Sequence, residues 1–170
     1  MTITVARAPG SRSLGILRFD GRALHVALGR GGIKADKREG DGATPRGSFR
    51  LLRLWWRSDR IIRPRTSLPV RRITRTDAWC EDPSDSRYNQ PIRLSADALG
   101  DRLWRDDHLY DLIIEIDHNT RPRIAGRGSA VFLHLARTGL LPTAGCIALP
   151  AKELRGLISH LRKKSMINIF

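Results

Sequence analysis

A possible nucleophile and a possible base lie close together in the C-terminal part of the chain. His134 sits within an apolar run, Cys146 opens another, and Gly139 and Pro142 lie between them. Strand-like runs joined by a turn can bring their ends together. A thiol beside an imidazole can transfer its proton and become a thiolate, the form that attacks a carbonyl carbon. The pair predicts cysteine catalysis, although a buried core cysteine and a hydrogen-bonded core histidine remain an alternative.

The residue before the cysteine is a glycine. Gly145 has no side chain, so substrate and backbone N–H groups can approach Cys146 closely. N–H donors at this point would stabilise the negative oxygen of a tetrahedral intermediate. We therefore expect an oxyanion hole at this turn.

A second glycine-rich stretch covers residues 40–49. Its glycines and its proline exclude a helix and favour a loop of fixed shape. Its spacing fits neither a phosphate-binding loop nor a dinucleotide fingerprint. We expect it to frame a substrate cleft between strands.

The elements that must position these residues are mostly short strands. Strand-like runs occupy residues 3–5, 14–19, 22–29, 49–56, 109–116, 131–136, 147–149 and 166–170. Asp20-Gly21 predicts a tight hairpin between two of them. A helix is expected from Pro150, with apolar residues at helical spacing up to Leu161. A weaker helix is expected from Ser95, a possible N-cap, to Leu103.

This count predicts a mainly β fold, a sandwich or barrel with one or two short helices, over a single domain of residues 1–170. No apolar run approaches the roughly 18 residues that a membrane helix needs. The formal net charge of +14 favours anionic partners. The basic residues are scattered, however, and no nucleic-acid-binding motif accompanies them. The histidines have no metal-ligand spacing, so we expect no metal.

The chain contains two cysteines, Cys80 and Cys146. They could form one disulfide or remain two free thiols, and their spacing matches neither a zinc site nor a redox motif. A catalytic Cys146 must be free, which leaves Cys80 as a spare thiol.

Together, the glycine-rich stretch and the cysteine motif resemble a known enzyme family. Residues 40–49 read G-D-G-A-T-P-R-G-S-F, which is similar to the G-D-G-x-T-P-x-G-x-F stretch of L,D-transpeptidases of the YkuD/ErfK type. His134 followed by T-A-G-C at residues 143–146 resembles that family's signature, a histidine before a Ser/Thr-His-Gly-Cys-x-Arg/Asn run. Further similar segments are residues 77–83, 88–89, 118–119 and 128–134. The similarity extends from Gly29 to the end of the chain.

The resemblance implies an L,D-transpeptidase-like β-sandwich or barrel that remodels peptidoglycan without a cofactor. It implies Cys146 as the nucleophile and His134 as its base. The thiolate would attack an L,D-peptide bond of a donor stem peptide and release a D-amino acid, and an acceptor amine would then take the acyl group. The predicted substrate and oxyanion residues are Gly145, Thr143, His118, Asn119, Arg127 and Tyr88.

The chain departs from the family pattern at two motif positions. Ala144 stands where the family has a second histidine, and Ala148 stands where it has Arg or Asn. The gap between His134 and Cys146 is also shorter than usual. His118 is a candidate replacement for the missing histidine. Candidates for binding substrate carboxylates are Arg87, Arg127 and Arg137.

Other functions remain open at this point. The same acyl-enzyme could pass its acyl group to water, as an L,D-carboxypeptidase, or to a free D-amino acid, as an exchange enzyme. The positive charge also fits a non-enzymatic basic binding module. We expect peptidoglycan stem peptides as donor and acceptor, no specific nucleic acid, and a monomer. The family implies the periplasm or cell wall, although residues 1–10 lack the apolar segment of a signal peptide.

Overall fold

Short strands make up most of the regular structure in the computed structural model, which describes residues 1–94 and 100–170. In chain order the elements are β1 (Thr2–Arg7), β2 (Leu14–Phe19), β3 (Arg22–Ala27), β4 (Ile33–Lys34), β5 (Thr44–Pro45), β6 (Gly47–Trp56), β7 (Val70–Arg72), β8 (Asp77–Trp79), β9 (Pro91–Arg93), β10 (Asp101–Arg102), β11 (Leu112–Ile116), β12 (Phe132–Leu135), β13 (Ile147–Leu149), α1 (Ala151–His160) and β14 (Met166–Ile169).

The large sheet closes on itself. Its strand order is β11-β12-β13-β3-β2-β1-β14-β6, and β6 also pairs with β11, while β7 adds to the end of β6. The long β6 allows this closure because its first half pairs with β14 and its second half with β11. The predicted mainly β fold is confirmed, and the sheet takes the barrel-like form.

The hairpin predicted at Asp20-Gly21 is confirmed. β2 and β3 pair antiparallel up to Phe19 and Arg22. Asp20 has φ of 47° and Gly21 has φ of 72°, the two positive values that a two-residue type I′ turn requires.

The main apolar core lies on one face of the closed sheet. Along β11, Leu112, Ile114 and Ile116 belong to this core, whereas Ile113 belongs to a second cluster, as strand alternation requires. The predicted C-terminal helix is confirmed as α1, which follows Pro150 and buries Leu154, Leu157 and Ile158 in the main core. No helix in the described part of the chain has the length and apolar character to cross a membrane.

The second apolar cluster lies on the opposite face of β11 and β12. Ile113 and Phe132 come from these strands, and Trp79 comes from β8 of a small sheet ordered β10-β8-β9. The rings of Trp79 and Phe132 meet edge to face, with centroids 4.9 Å apart. Cys146 is a member of this cluster, so the small sheet covers the region around the sulfur.

The weaker helix predicted from Ser95 to Leu103 falls largely on residues 95–99, which lie outside the described residues. At the C-terminal end of that range the prediction is wrong. Asp101 and Arg102 form β10 and pair with Trp79 and Ala78 of β8. Tertiary pairing overrides the local helical preference there.

Candidate active site

The register of two parallel strands places His134 and Cys146 on the same face of the sheet. β12 and β13 pair Leu133 with Ile147 and His134 with Ala148. Leu133 and Ile147 belong to the main core, so His134 and Cys146, each one position away from a core residue, project to the other face. Both side chains line one cavity of about 500 Å³. The connection between the strands crosses over instead of forming a hairpin, because the strands are parallel.

The side-chain hydroxyl of Thr143 stabilises the turn that precedes Cys146. The Thr143 Oγ1 accepts the Gly145 N–H at 3.1 Å and donates to the Cys146 carbonyl at 2.7 Å. Gly145 has φ of 147°, and a Cβ at this position would lie 2.9 Å from the Ala43 carbonyl oxygen. The turn therefore requires glycine for both its conformation and its close packing against the glycine-rich loop.

The backbone N–H groups of Gly145 and Cys146 differ in whether they are already hydrogen-bonded. The Gly145 N–H is occupied by the Thr143 hydroxyl. The Cys146 N–H makes no hydrogen bond to any residue that the structure describes. The Cys146 N–H is therefore the candidate donor for a developing oxyanion at this turn.

The thiol of Cys146 is buried and held in its protonated form. The residue is 8% exposed, its Sγ–H donates to the Ala130 carbonyl at 3.1 Å, and Sγ accepts the Phe132 N–H at 3.4 Å. Burial raises the pKa of the Cys146 thiol to about 12. In the free protein the apolar surroundings therefore disfavour the thiolate relative to the neutral thiol.

His134 is oriented as a neutral base. Its Nδ1–H donates to the Leu135 carbonyl at 2.8 Å, which leaves the Nε2 lone pair available. Burial lowers the pKa of His134 to about 4. The imidazole and the Tyr110 ring also pack in a T-shaped arrangement, with centroids 5.3 Å apart. The neutral imidazole can therefore act as a proton acceptor through Nε2.

The glycine-rich loop frames this cavity. Gly40 lies in its wall, and the Asp41 carboxylate fixes the loop by accepting the Lys37 Nζ at 2.7 Å and the Ala43 N–H at 2.8 Å. Gly29 packs so closely on the loop that a Cβ there would lie 2.2 Å from the Gly42 carbonyl oxygen. This backbone contact explains why position 29 requires a glycine.

Four predicted substrate residues lie outside this cavity. His118, Asn119 and Arg127 line a neighbouring cleft, and the His118 Nε2–H donates to the Arg127 carbonyl at 3.0 Å. The Tyr88 hydroxyl bonds Glu39 and accepts the Gly128 N–H at 3.0 Å. Tyr88 and Asn119 both bind the segment that leads to Ala130, so they support the wall behind the thiol.

Of the three arginines predicted to bind substrate carboxylates, one lines the cavity and two do not. Arg137 lines the cavity. Arg87 is paired with Asp85 and Arg127 with Asp36, and neither reaches the cavity wall.

Sequence reasoning missed several residues of the cavity wall. They are the basic residues Arg30, Lys37 and Arg105, the acidic residues Glu39, Glu81 and Asp101, and Tyr110. They come from separate loops and short strands, so no sequence spacing connects them. Asn89, whose Oδ1 accepts the Ala130 N–H, was also missed. It directly follows Tyr88, which was among the predicted substrate residues.

Both cysteines are free thiols, so the disulfide alternative is wrong. Within the described residues, no group of three His, Cys, Asp or Glu side chains is arranged to hold a metal ion.

Comparison with known proteins identifies the family. The family model described as the L,D-transpeptidase catalytic domain, YkuD, matches residues 12–169. Neither the curated proteins nor the solved structures provide a match. The family match covers nearly the whole chain, including His134 and Cys146. The chain belongs to the YkuD family of L,D-transpeptidase catalytic domains.

Proposed function

We propose that this protein is an L,D-transpeptidase that forms an acyl-enzyme on Cys146 and cross-links peptidoglycan stem peptides. The observation that carries the proposal is the shared cavity of Cys146 and His134, with the His134 Nδ1–H fixed on the Leu135 carbonyl. That bond leaves Nε2 as the nitrogen that can accept a proton. We propose a location outside the cytoplasm, where this substrate lies.

In the first half-reaction, His134 takes the thiol proton as Sγ attacks the carbonyl carbon of the donor L,D-peptide bond. The negative oxygen of the intermediate is stabilised by the Cys146 N–H. The C–N bond then breaks, and His134 returns the proton to the leaving D-amino acid. Proton transfer coupled to attack suits this site, because burial favours the neutral thiol and the neutral imidazole over an ion pair.

In the second half-reaction, an acceptor amine attacks the thioester. The C–N bond forms, the C–S bond breaks, and a proton from the amine passes through His134 to the thiolate. The enzyme returns to its starting state.

Substrate carboxylates can be bound without the family's usual arginine. Arg30 and Arg137 line the cavity, and neither guanidinium forms an ion pair with an acidic side chain of residues 1–94 or 100–170. Arginine binds a carboxylate through two parallel hydrogen bonds. Ala148, opposite His134 in the register, leaves space for the peptide that such contacts would hold.

The test is a digest of peptidoglycan incubated with the protein and separated by mass spectrometry. We expect cross-linked dimers with the wild type and with Cys80→Ala, and no product with Cys146→Ala. Intact-protein mass spectrometry with a donor stem peptide should show one added acyl group, absent from Cys146→Ala.

Other outcomes would contradict the proposal. Turnover by Cys146→Ala would exclude the cysteine mechanism. Trimmed monomers without dimers would identify an L,D-carboxypeptidase, and exchange of the terminal D-amino acid would identify an exchange enzyme. Sequence-selective nucleic-acid binding with an inert Cys146 would identify the protein as a basic binding module.

A further inference from the structure

The most basic stretch of the chain takes no part in the proposed reaction. Residues 60–76 contain six arginines and no acidic residue. A second basic run, Arg-Lys-Lys at residues 162–164, follows α1. Neither run contributes a residue to the wall of the Cys146 cavity. Much of the net charge of +14 therefore lies on surface that catalysis does not use.

The fold brings these two basic runs together. The Ser67 N–H donates to the Leu161 carbonyl at 3.4 Å, which links the loop before β7 to the residue that follows α1. The carbonyls of Pro69 and Ser165 accept N–H groups from β6, at 2.9 Å and 3.1 Å. Hydrogen bonds thus hold both runs beside the same strand, so their charges lie on neighbouring surface.

The cationic side chains at this junction are exposed and carry no counter-charge. Arg63, Arg65, Arg162, Lys163 and Lys164 are all exposed to solvent. None of them forms an ion pair with an acidic side chain of residues 1–94 or 100–170. Five positive charges at one place repel one another, and an anionic partner would relieve this repulsion.

An isoleucine projects from the same loop. Ile62 is 93% exposed, although its neighbour Ile61 packs against the main core and Leu68 is buried in that core. The loop is therefore anchored on either side of Ile62, which remains outside the core. The five cationic side chains and Ile62 together are called the basic face below.

We propose that the basic face binds the surface of a membrane rich in anionic phospholipids, with Ile62 at the boundary between headgroups and acyl chains. Each Arg or Lys near an anionic membrane strengthens binding by about fivefold. An apolar side chain among cations suits this boundary, because the charges contact phosphate while the apolar group leaves water. The inference is independent of the proposed function, since the basic face lies outside the Cys146 cavity.

The charge alone would also suit a nucleic acid, but the apolar residue favours a membrane. Proteins that bind single strands stack bases on aromatic side chains, and those that read duplexes insert a helix or strand into a groove. The projecting residue here is the aliphatic Ile62, and it lies in a loop. A lipid surface is the partner that uses both parts of the basic face.

The experiment is sedimentation of the full chain with lipid vesicles. One set contains phosphatidylglycerol and phosphatidylcholine in equal amounts, and the other contains phosphatidylcholine alone. In about 0.1 M salt, we expect at least about tenfold tighter binding to the anionic vesicles. This binding should weaken as salt is raised to about 0.5 M. Cys146→Ala should bind as the wild type does.

Substitutions in the basic face should weaken binding according to what each removes. Arg63→Gln/Arg65→Gln and Lys163→Gln/Lys164→Gln each remove two charges, so we expect about 25-fold weaker binding. Arg63→Lys/Arg65→Lys keeps the charges and should bind within about threefold of the wild type. Ile62→Ser should bind about tenfold more weakly, because its side chain no longer leaves water.

The matched control removes two exposed charges elsewhere. Arg7 ends β1 and Arg12 follows it, and both are exposed. β1 runs parallel to β14 with Thr2 opposite Met166, so Arg7 lies at the end of these strands away from residues 162–164. Arg7→Gln/Arg12→Gln should change binding by less than about twofold, since salt screens charges at that distance.

A fluorescent label tests whether Ile62 enters the lipid. Ile62→Cys, in a Cys80→Ala/Cys146→Ala background, provides one exposed thiol for an environment-sensitive dye. We expect the dye emission to shift to the blue on anionic vesicles and to stay unshifted on double-stranded DNA. This measurement leaves every charge of the basic face in place, so it tests the proposal even if a glutamine variant does not fold.

Several results would overturn the proposal. They are equal binding of the wild type to both kinds of vesicle, no binding to either, or an equal loss in Arg7→Gln/Arg12→Gln. An unshifted dye on bound vesicles, with DNA binding that the same variants weaken, would identify a general polyanion surface instead. If Cys146 forms no thioester but the basic face still binds vesicles, only the proposed function is overturned.

Discussion

The Ala130 carbonyl accepts the thiol proton of Cys146, with Sγ 3.1 Å from the oxygen. Ala130 itself has φ of 50°, a left-handed conformation that is unfavourable for a residue with a side chain. Its N–H is held by the Asn89 Oδ1 at 3.2 Å. The position of the Cys146 thiol thus depends on a backbone conformation that a buried asparagine holds in place.

Replacing Asn89 should destabilise the protein and disturb the thiol. Its Oδ1 also accepts the Trp79 Nε1–H at 3.0 Å, and its Nδ2 donates to the carbonyls of His118 and Asn119. Asn89→Ala leaves these buried groups unpaired, so we expect a loss of about 3 kcal/mol in the free energy of unfolding, measured with denaturant. The neighbouring Gln90→Ala is the control and should lose less than about 1 kcal/mol. Equal losses in both variants would contradict the role of Asn89.

Cys146 should react slowly with alkylating agents when no substrate is present. With a pKa of about 12, the thiol contains far less thiolate at pH 7 than a cysteine in a model peptide. In a Cys80→Ala background, we expect iodoacetamide labelling to be at least about tenfold slower than for the model peptide and to rise with pH up to at least pH 10. Fast labelling that is constant between pH 6 and 8 would instead indicate a thiolate–imidazolium pair.

Stability should fall in mild acid because His134 is buried in its neutral form. Its pKa is lowered from 6.5 to about 4, so the unfolded chain binds a proton first as the pH falls. The contribution is fully present above about pH 6.5 and is lost progressively towards pH 4, by about 3 kcal/mol. His118, whose pKa burial also lowers, acts in the same direction.

Denaturant unfolding at pH 7 and pH 4.5 measures this effect. His134→Gln should lose less stability between the two pH values than the wild type does. His25→Gln changes an exposed histidine of β3 and should keep the wild-type dependence. An unchanged pH dependence in His134→Gln would contradict the prediction.

Gly145→Ala should reduce activity more than a glycine substitution with open space around it. The new Cβ would meet the Ala43 carbonyl oxygen at 2.9 Å and force the turn before Cys146 to move. We expect at least about a hundredfold loss of acylation rate, since displacing a reacting group by about 1 Å has this effect. Gly10→Ala also has positive φ, of 72°, but nothing lies within 4 Å of its Cβ. It should lose about 1 kcal/mol of stability and retain its acylation rate. Similar acylation rates in the two variants would exclude steric displacement as the cause.

The sequence alone was sufficient to predict those features of the structure that depend on local interactions. Asp20-Gly21 has the two residues that tolerate the positive φ values of a tight turn, so the hairpin follows from them. The apolar spacing from Leu154 to Leu161 determined the helix face, and the motifs at residues 40–49 and 143–146 indicated the family. Each of these depends on residues close together in the chain or on a short motif.

The tertiary structure alone decided which groups surround the sulfur. The parallel register of β12 and β13 places Cys146 and His134 on one face, and the small sheet adds Glu81 and Asp101 beside them. It also excluded His118 from the cavity and brought in Arg30. Burial in that arrangement, which no single segment contains, sets the protonation of the thiol and the imidazole. Desolvation depends on every neighbour in space, and the amino-acid sequence orders residues only along the chain.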